Sequence, residues 1–190
     1  MVSYERYEHA GKIPLKRWKD QGIKIPLFDK DGTLTSFHQD GFIPEVIDGL
    51  IANGLPDLFQ GIALISNSDD PKHIEKVAED LMDALGGMEV YRLCQAELSV
   101  KARKPKSLMG EMAADHFMID PSELGVIGDR RFVDVSFGKN LGAGAIALCS
   151  KVGEGDQKGV PAVRRIEDLI VSAETFLGFN ENYIEPTQWS

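Results

Sequence analysis

Short apolar runs typical of β-strands alternate along this chain with segments whose apolar residues recur at helical spacing. The predicted strands are 23–28, 62–66, 88–94, 124–127 and 145–148, and the predicted helices are 44–53, 71–85, 107–116, 133–141 and 163–177. This alternation is typical of an α/β fold with a parallel sheet. We therefore expect a three-layer, Rossmann-like sheet with helices on both faces and a site beyond the carboxyl ends of its strands.

The chain has 190 residues, which suits a single domain over 1–190 with one hydrophobic core. The stretches 1–22 and 178–190 carry little apolar pattern, so we expect an N-terminal arm and a C-terminal tail. The beginning of the chain lacks the apolar segment of a signal peptide, and no apolar run approaches the ~20 residues of a membrane span. These features predict a cytoplasmic protein.

The net charge and the cysteine content narrow the functional classes. A formal net charge of -9 argues against nucleic acid as a partner, because phosphate backbones attract Lys and Arg. The two cysteines, Cys94 and Cys149, each end an apolar run, which favours buried free thiols over a disulfide. No Cys/His cluster with zinc-ligand spacing is present in the sequence.

Two acids directly follow the first predicted strand, in the segment Asp29-Lys30-Asp31-Gly32-Thr33. A carboxylate at such a position can attack phosphorus, and a second one can protonate the leaving alkoxide and later deprotonate a water. We assign Asp29 as the candidate nucleophile and Asp31 as the candidate acid and base. The alternative is a simple turn, since Asp and Gly both favour turns.

Three further polar motifs follow other predicted strands. Ser66 and Asn67 close the second strand, where they can hold a phosphoryl group or begin the next helix. Lys104 can neutralise phosphoryl charge or lie in a solvated basic loop. Asp129 and Asp134 can hold a hard cation such as Mg²⁺ through oxygen atoms, or serve as a helix cap and a solvated residue.

In order and position, these motifs resemble those of the haloacid dehalogenase (HAD) superfamily. FDKDGTLT is similar to the first motif of that superfamily and GDRRFVD to its last. The resemblance implies that Asp29, Asp129 and the backbone carbonyl of Asp31 bind Mg²⁺, and that Ser66 and Lys104 bind phosphate. It places Thr33 and Asp134 in supporting positions behind the metal ligands.

A cap domain is not expected, because the intervals before and after Ser66 are filled by predicted helices and a strand. An open site can accept a phosphorylated small molecule or a lipid headgroup. It also needs shielding from water, by a partner subunit in a homo-oligomer or by the flap 36–42. Phe37 and Phe42 in this flap either pack into the core or touch a membrane, which would make the protein peripheral to it.

A narrower resemblance links IKIPLFDKDGTLT, LISNS, RKP and GDRRFVDV to the phosphatidylglycerophosphate phosphatase branch of the superfamily. This chain has Gly32 where that branch often has Asn, and Val133 where it usually has Thr. The resemblance implies removal of the terminal phosphate from a lipid precursor. The alternatives are a phosphatase for a soluble sugar or nucleotide phosphate, and a non-catalytic binding module with the same fold.

Overall fold

A computed structural model describes residues 4–98, 101–153, 155 and 160–176. Its centre is a six-stranded sheet in which all neighbouring strands are parallel, in the order β1-β6-β5-β2-β3-β4. The strands are β1 (Glu5–Tyr7), β2 (Ile25–Asp29), β3 (Gly61–Ser66), β4 (Glu89–Cys94), β5 (Leu124–Gly128) and β6 (Ala145–Cys149). The predicted parallel α/β sheet is confirmed.

The helices cover the two faces of this sheet. They are α1 (Leu15–Asp20), α2 (Pro44–Ala52), α3 (Leu55–Leu58), α4 (Pro71–Ala84), α5 (Leu108–Phe117), α6 (Ser136–Leu141) and α7 (Val160–Phe176). Buried residues of α1 to α4 pack in one core cluster, and those of α5 to α7 pack in another. Alternate residues of the central strands supply both clusters: Leu64 faces the first and Ile65 the second. The three-layer arrangement is therefore confirmed.

Helix α4 shows how local sequence sets an element. Pro71 occupies its first turn, and the Asp70 side chain accepts a hydrogen bond from the Lys72 backbone N–H at 3.0 Å. The helix ends before Gly86 and Gly87, which both adopt positive φ. The predicted apolar stripe of 71–85 is buried at Ile74, Val77, Ala78, Leu81 and Leu85, whereas Met82 is exposed at its margin.

The expectation of an N-terminal arm is wrong for the described residues from Tyr4 onward. Strand β1 pairs with β6 at the sheet edge, and α1 buries Leu15 and Trp18 completely. The apolar pattern of this part of the sequence does not predict these elements, because β1 has only three residues and α1 only six. The predicted tail 178–190 lies outside the described residues.

The helix predicted over 133–141 is α-helical only from Ser136 onward. A π-helical turn over Arg131–Val135 precedes α6.

In the described residues between Asp29 and Lys104, the intervening elements are α2, α3, α4 and their strands, and they form no cap. No helix among the described residues is long and apolar enough to cross a membrane.

Candidate active site

The predicted motifs meet at one edge of the sheet. Strands β5, β2 and β3 are neighbours, and their carboxyl ends carry Asp129, Asp29 and Ser66. Lys104 comes from the loop after β4 and is nearly fully buried. Parallel strands thus bring together residues up to 100 positions apart in the sequence.

The loop after Asp29 is folded tightly around the Lys30 carbonyl, which accepts hydrogen bonds from the backbone N–H groups of Leu34 and Thr35. Gly32 adopts a φ of +83°, and an added Cβ would lie 2.9 Å from Cγ of Asp129. Glycine therefore permits both the turn and the close approach of Asp129. This contact gives a physical reason for the glycine at a position where the family resemblance suggests asparagine.

Lys104 links two of the acids. Its Nζ lies 2.5 Å from Oδ1 of Asp29 and 2.6 Å from Oδ1 of Asp134. Burial disfavours the charged ammonium, but Asp134 and Asp29 outweigh burial and raise the pKa of Lys104 above its usual range. Lys104 is therefore held as a cation beside the candidate nucleophile.

The Asn67 side chain positions the backbone of Lys104. Its Oδ1 accepts a hydrogen bond from the Lys104 N–H at 2.7 Å, and its Nδ2 donates to the Lys104 carbonyl at 3.2 Å. The hydroxyl of the buried Ser66 accepts from the Ser68 N–H at 3.1 Å. Both residues line the site, and Asn67 adds a positioning contact that the sequence did not suggest.

Asp134 lies nearer the centre of the site than predicted. Its Oδ2 accepts a hydrogen bond from the Arg130 backbone N–H at 3.1 Å, and the carboxylate packs against Gly128. A Cβ on Gly128 would lie no more than 2.5 Å from Cβ, Cγ and Oδ2 of Asp134. The glycine at the end of β5 thus makes room for this carboxylate.

Asp29, Asp129 and Asp134 form what we call the acid cluster. All three are buried, and one carboxylate oxygen from each lies within 4.8 Å of the others. Oδ1 of Asp129 is fully buried and has no hydrogen-bond partner among the described residues. Such an oxygen fits a cation, because buried polar groups otherwise find partners. The oxygen donors suit a hard divalent ion such as Mg²⁺.

The charge balance of the acid cluster leads to the same conclusion. Burial, Asp134 and Asp129 raise the pKa of Asp29 despite the opposing effect of Lys104. Burial and Asp134 also raise the pKa of Asp129 against the effect of Arg164. Among the described residues, Lys104 and Arg164 are bonded to these three buried carboxylates, so one negative charge is left unbalanced, and a bound cation would offset it.

Two charged residues of α7 also contact the site or the loop beside it, and neither was assigned a role from the sequence. Arg164 Nη2 donates to Oδ2 of Asp129 at 2.5 Å. Glu167, only 4% exposed, accepts from Nε of Arg130 at 2.8 Å and from the Phe132 N–H at 2.7 Å. Helix α7 thereby fixes the loop that carries two members of the acid cluster. The available signal was the run Arg164-Arg165-Ile166-Glu167-Asp168, in which basic and acidic residues three positions apart interrupt the apolar pattern of the helix.

The Asp31 side chain lies outside the acid cluster but still lines the site. Its Oδ1 is 2.8 Å from Nζ of the buried Lys30 and accepts from the His38 N–H at 2.9 Å. These contacts connect Asp31 to the flap. The predicted supporting residue Thr33 is fully buried, and its hydroxyl lacks a hydrogen-bond partner in the described part of the chain.

The flap 36–42 borders the site, and its two aromatic residues differ in position. Phe42 packs against the core, whereas the half-buried Phe37 lines the cavity above the acid cluster. Asp40 is hydrogen-bonded to His73 of α4, which ties the flap to the body of the protein. The cavity has a volume of about 200 Å³, and Arg103, Arg130 and Arg164 add positive charge to its lining.

The sequence and the fold of this chain are similar to those of several known proteins. The family model described as mitochondrial PGP phosphatase matches residues 7–153. The chain is 30% identical over 166 residues to a protein named phosphatidylglycerophosphate phosphatase 1, chloroplastic, from Chlamydomonas reinhardtii. That match covers 84% of this chain and 57% of the relative, so the chain spans little more than half of the relative's length.

Two solved structures share the fold. An uncharacterized protein from Listeria monocytogenes serotype 4b matches with a TM-score of 0.54 at 16% identity, covering 73% of this chain and 88% of that one. A putative HAD-like phosphatase from Mesorhizobium loti matches with a TM-score of 0.51, also at 16% identity, covering 72% and 77%. At these identities the similarity concerns the fold alone.

Proposed function

The chain belongs to the mitochondrial PGP phosphatase family of the HAD superfamily, and from this membership we propose that it hydrolyses a phosphate monoester on a lipid headgroup. The proposed substrate is phosphatidylglycerophosphate, and the proposed product is phosphatidylglycerol. The observation that carries the proposal is the buried acid cluster, two of whose carboxylates bond the buried Lys104. This arrangement unites a nucleophile, a fixed cation and a set of oxygen ligands.

Asp29 is the proposed nucleophile. One of its oxygens is held by Lys104, which leaves the other for attack on phosphorus. Attack forms an aspartyl-phosphate and breaks the bond between phosphorus and the ester oxygen. Asp31 protonates the departing alkoxide, then takes a proton from the water that hydrolyses the aspartyl-phosphate. Inorganic phosphate leaves, and Asp29 is regenerated.

Asp29, Asp129 and Asp134 would hold Mg²⁺ together with the backbone carbonyl of Asp31. When bound, this ion would neutralise negative charge on the phosphoryl oxygens. Lys104 provides fixed positive charge beside Asp29. Ser66 and the backbone around Asn67 border the space in which the phosphoryl oxygens would bind.

An open site suits a phosphate attached to a large lipid. In the described part of the chain, the residues between the motifs form sheet and covering helices, and the flap 36–42 borders the cavity. A site of this form can accept a headgroup that stays attached to its acyl chains in a membrane. The lipid identity rests on the family relationship.

The test compares catalytic efficiency on four substrates in the presence of Mg²⁺. These are phosphatidylglycerophosphate in detergent micelles, an aryl phosphate, a sugar phosphate and a nucleotide. We expect the highest kcat/KM on the lipid and measurable turnover of the aryl phosphate. A higher kcat/KM on the sugar phosphate or the nucleotide would contradict the lipid assignment. No turnover of any substrate would contradict the enzymatic function.

A further inference from the structure

Lys30 is a buried lysine to which the proposed mechanism gives no role. It lies between Asp29 and Asp31 in the sequence, and its side chain is only 1% exposed. Burying an ammonium group costs free energy unless the group is paired and hydrogen-bonded. An apolar side chain of similar volume would fill the same space without this cost. The charge of Lys30 therefore calls for a function.

The ammonium group of Lys30 has two partners among the described residues. Its Nζ lies 2.8 Å from Oδ1 of Asp31 and donates a hydrogen bond to the Gln39 carbonyl at 3.3 Å. Asp31 is the proposed acid and base, and Gln39 belongs to the flap 36–42. Lys30 therefore joins the proton-transferring carboxylate to the segment that borders the site.

The backbone of Lys30 is held firmly in place. It directly follows β2, which is an interior strand of the sheet. Its carbonyl accepts hydrogen bonds from the N–H groups of Leu34 and Thr35 at 3.0 and 3.1 Å. Because the backbone is fixed and the side chain is buried, the ammonium group has little freedom to move. Lys30 can thus hold the Asp31 carboxylate in one direction.

The flap supplies a second donor to the same oxygen of Asp31. The His38 N–H donates to Oδ1 of Asp31 at 2.9 Å. His38 has a φ of +55°, in the left-handed region that residues other than glycine rarely adopt. In the described part of the chain, both contacts of the Asp31 carboxylate therefore fall on Oδ1. Oδ2 is the oxygen that this arrangement leaves for proton exchange with the substrate.

We propose that Lys30 is a positioning residue for proton transfer by Asp31. It fixes Oδ1, so that Oδ2 is presented to the leaving oxygen of the substrate, and through Gln39 it keeps the flap beside the acid. This inference rests on the proposed function, which assigns Asp31 as acid and base. The proton passes from Oδ2 of Asp31 to the leaving oxygen, and no bond to Lys30 forms or breaks.

The test compares two aryl phosphates of similar size whose leaving groups differ in their need for a proton. 4-Nitrophenolate departs with little help, whereas phenolate is more basic and depends more on the acid. The measured quantity is kcat/KM, which reports the step in which the leaving group departs. Lys30→Met should lower kcat/KM about tenfold or more on phenyl phosphate and about threefold or less on 4-nitrophenyl phosphate. A side chain with a purely structural role would lower both values equally.

A double variant shows whether Lys30 acts through Asp31. Added to Asp31→Asn, Lys30→Met should cost about twofold or less on phenyl phosphate, because the group that it positions is already lost. Lys16→Met is the control: Lys16 also pairs with an acid but is 77% exposed on α1, and this variant should match the wild type on both substrates. Lys30→Gln, which is shorter and uncharged, should change the ratio of the two kcat/KM values in the same direction and serves as the test if Lys30→Met does not fold.

Equal losses on the two substrates in the Lys30 variant would overturn the inference. So would a full further loss when Lys30→Met is added to Asp31→Asn. The Asp31→Asn variant alone tests the proposed function separately. If Asp31→Asn leaves the ratio of the two kcat/KM values unchanged, the proposed role of Asp31 is contradicted. If Asp31→Asn changes this ratio and the Lys30 variant does not, only the inference about Lys30 fails.

Discussion

Gly128→Ala should damage the site through a single added methyl group. Gly128 ends β5 directly below Asp134, and its φ lies outside the left-handed range. Alanine is therefore acceptable to the backbone, and the effect comes from contact alone. The new Cβ would lie no more than 2.5 Å from three atoms of Asp134, where ordinary carbon contacts exceed about 3.5 Å.

Asp134 has little space in which to move. Its carboxylate bonds Nζ of Lys104 at 2.6 Å and the Arg130 N–H at 3.1 Å, and it is 2% exposed. Overpacking at such a site costs about 1–3 kcal/mol. An unstrained Gly→Ala change instead stabilises by about 0.4–1 kcal/mol, because it restricts the unfolded chain. The net expectation for Gly128→Ala is a loss of about 1 kcal/mol.

Gly41→Ala supplies the matched control. Gly41 also has φ outside the left-handed range, and an added Cβ would meet nothing within 4 Å. Urea unfolding should show a loss of about 1 kcal/mol in Gly128→Ala and a gain of about 0.4–1 kcal/mol in Gly41→Ala. Displacement of Asp134 should also lower kcat/KM on an aryl phosphate by about a hundredfold. If Gly128→Ala matched Gly41→Ala in both stability and activity, the reasoning from this contact would be refuted.

Four smaller predictions use the same assays. Lys104→Met should lower kcat on an aryl phosphate by about a hundredfold or more, because the acid cluster loses its fixed cation, whereas the exposed Lys106→Met should be neutral. Asn67→Ala should lower kcat/KM about tenfold by releasing the Lys104 backbone, and an unchanged value would argue against that positioning role. Glu167→Gln should destabilise the protein in urea by about 2 kcal/mol, since the carboxylate loses its charged hydrogen bond; equal stability would contradict this. Burial raises the pKa of both cysteine thiols, so a thiol reagent at about pH 8 should react only after unfolding, and fast reaction of Cys149 in the native protein would refute its burial.

The sequence predicted the sheet and the main motifs because both depend on strong local signals. Each central strand is a continuous apolar run, and each is followed by a polar residue at the edge where the site forms. Parallel pairing places the carboxyl ends of neighbouring strands at one edge of the sheet, so the polar residues that follow these strands lie close together. The meeting of Asp29 and Asp129 could therefore be predicted from the strand pattern, whereas the place of Lys104 in the loop after β4 was implied by the family resemblance.

The N-terminal elements could not be predicted in the same way. Strand β1 has the sequence Glu-Arg-Tyr, and all three residues are only partly buried. Its place at the sheet edge depends on pairing with β6, which lies about 140 residues later in the sequence. Trp18 of α1 is fully buried, but a helix of six residues is too short to show helical periodicity in the sequence.

Helix α7 shows a different limit. Its apolar residues recur at helical spacing, and periodicity alone would place Ile166 and Leu169 in the core. The structure instead buries Glu167, because this carboxylate has partners in the loop after β5. A sequence cannot reveal that a buried charge has found such partners, and so the role of α7 at the site was missed.

The central claim is that Asp29 is the nucleophile of a phosphohydrolase, and Asp29→Asn tests it most directly. The variant keeps the size of the side chain but cannot attack phosphorus, while Asp83→Asn on the exposed side of α4 controls for the loss of one negative charge. The measurement is kcat on an aryl phosphate with saturating Mg²⁺. The account predicts that Asp29→Asn falls below about one hundredth of the wild-type rate and that Asp83→Asn retains it. A folded Asp29→Asn protein with more than about one hundredth of wild-type activity would contradict the account.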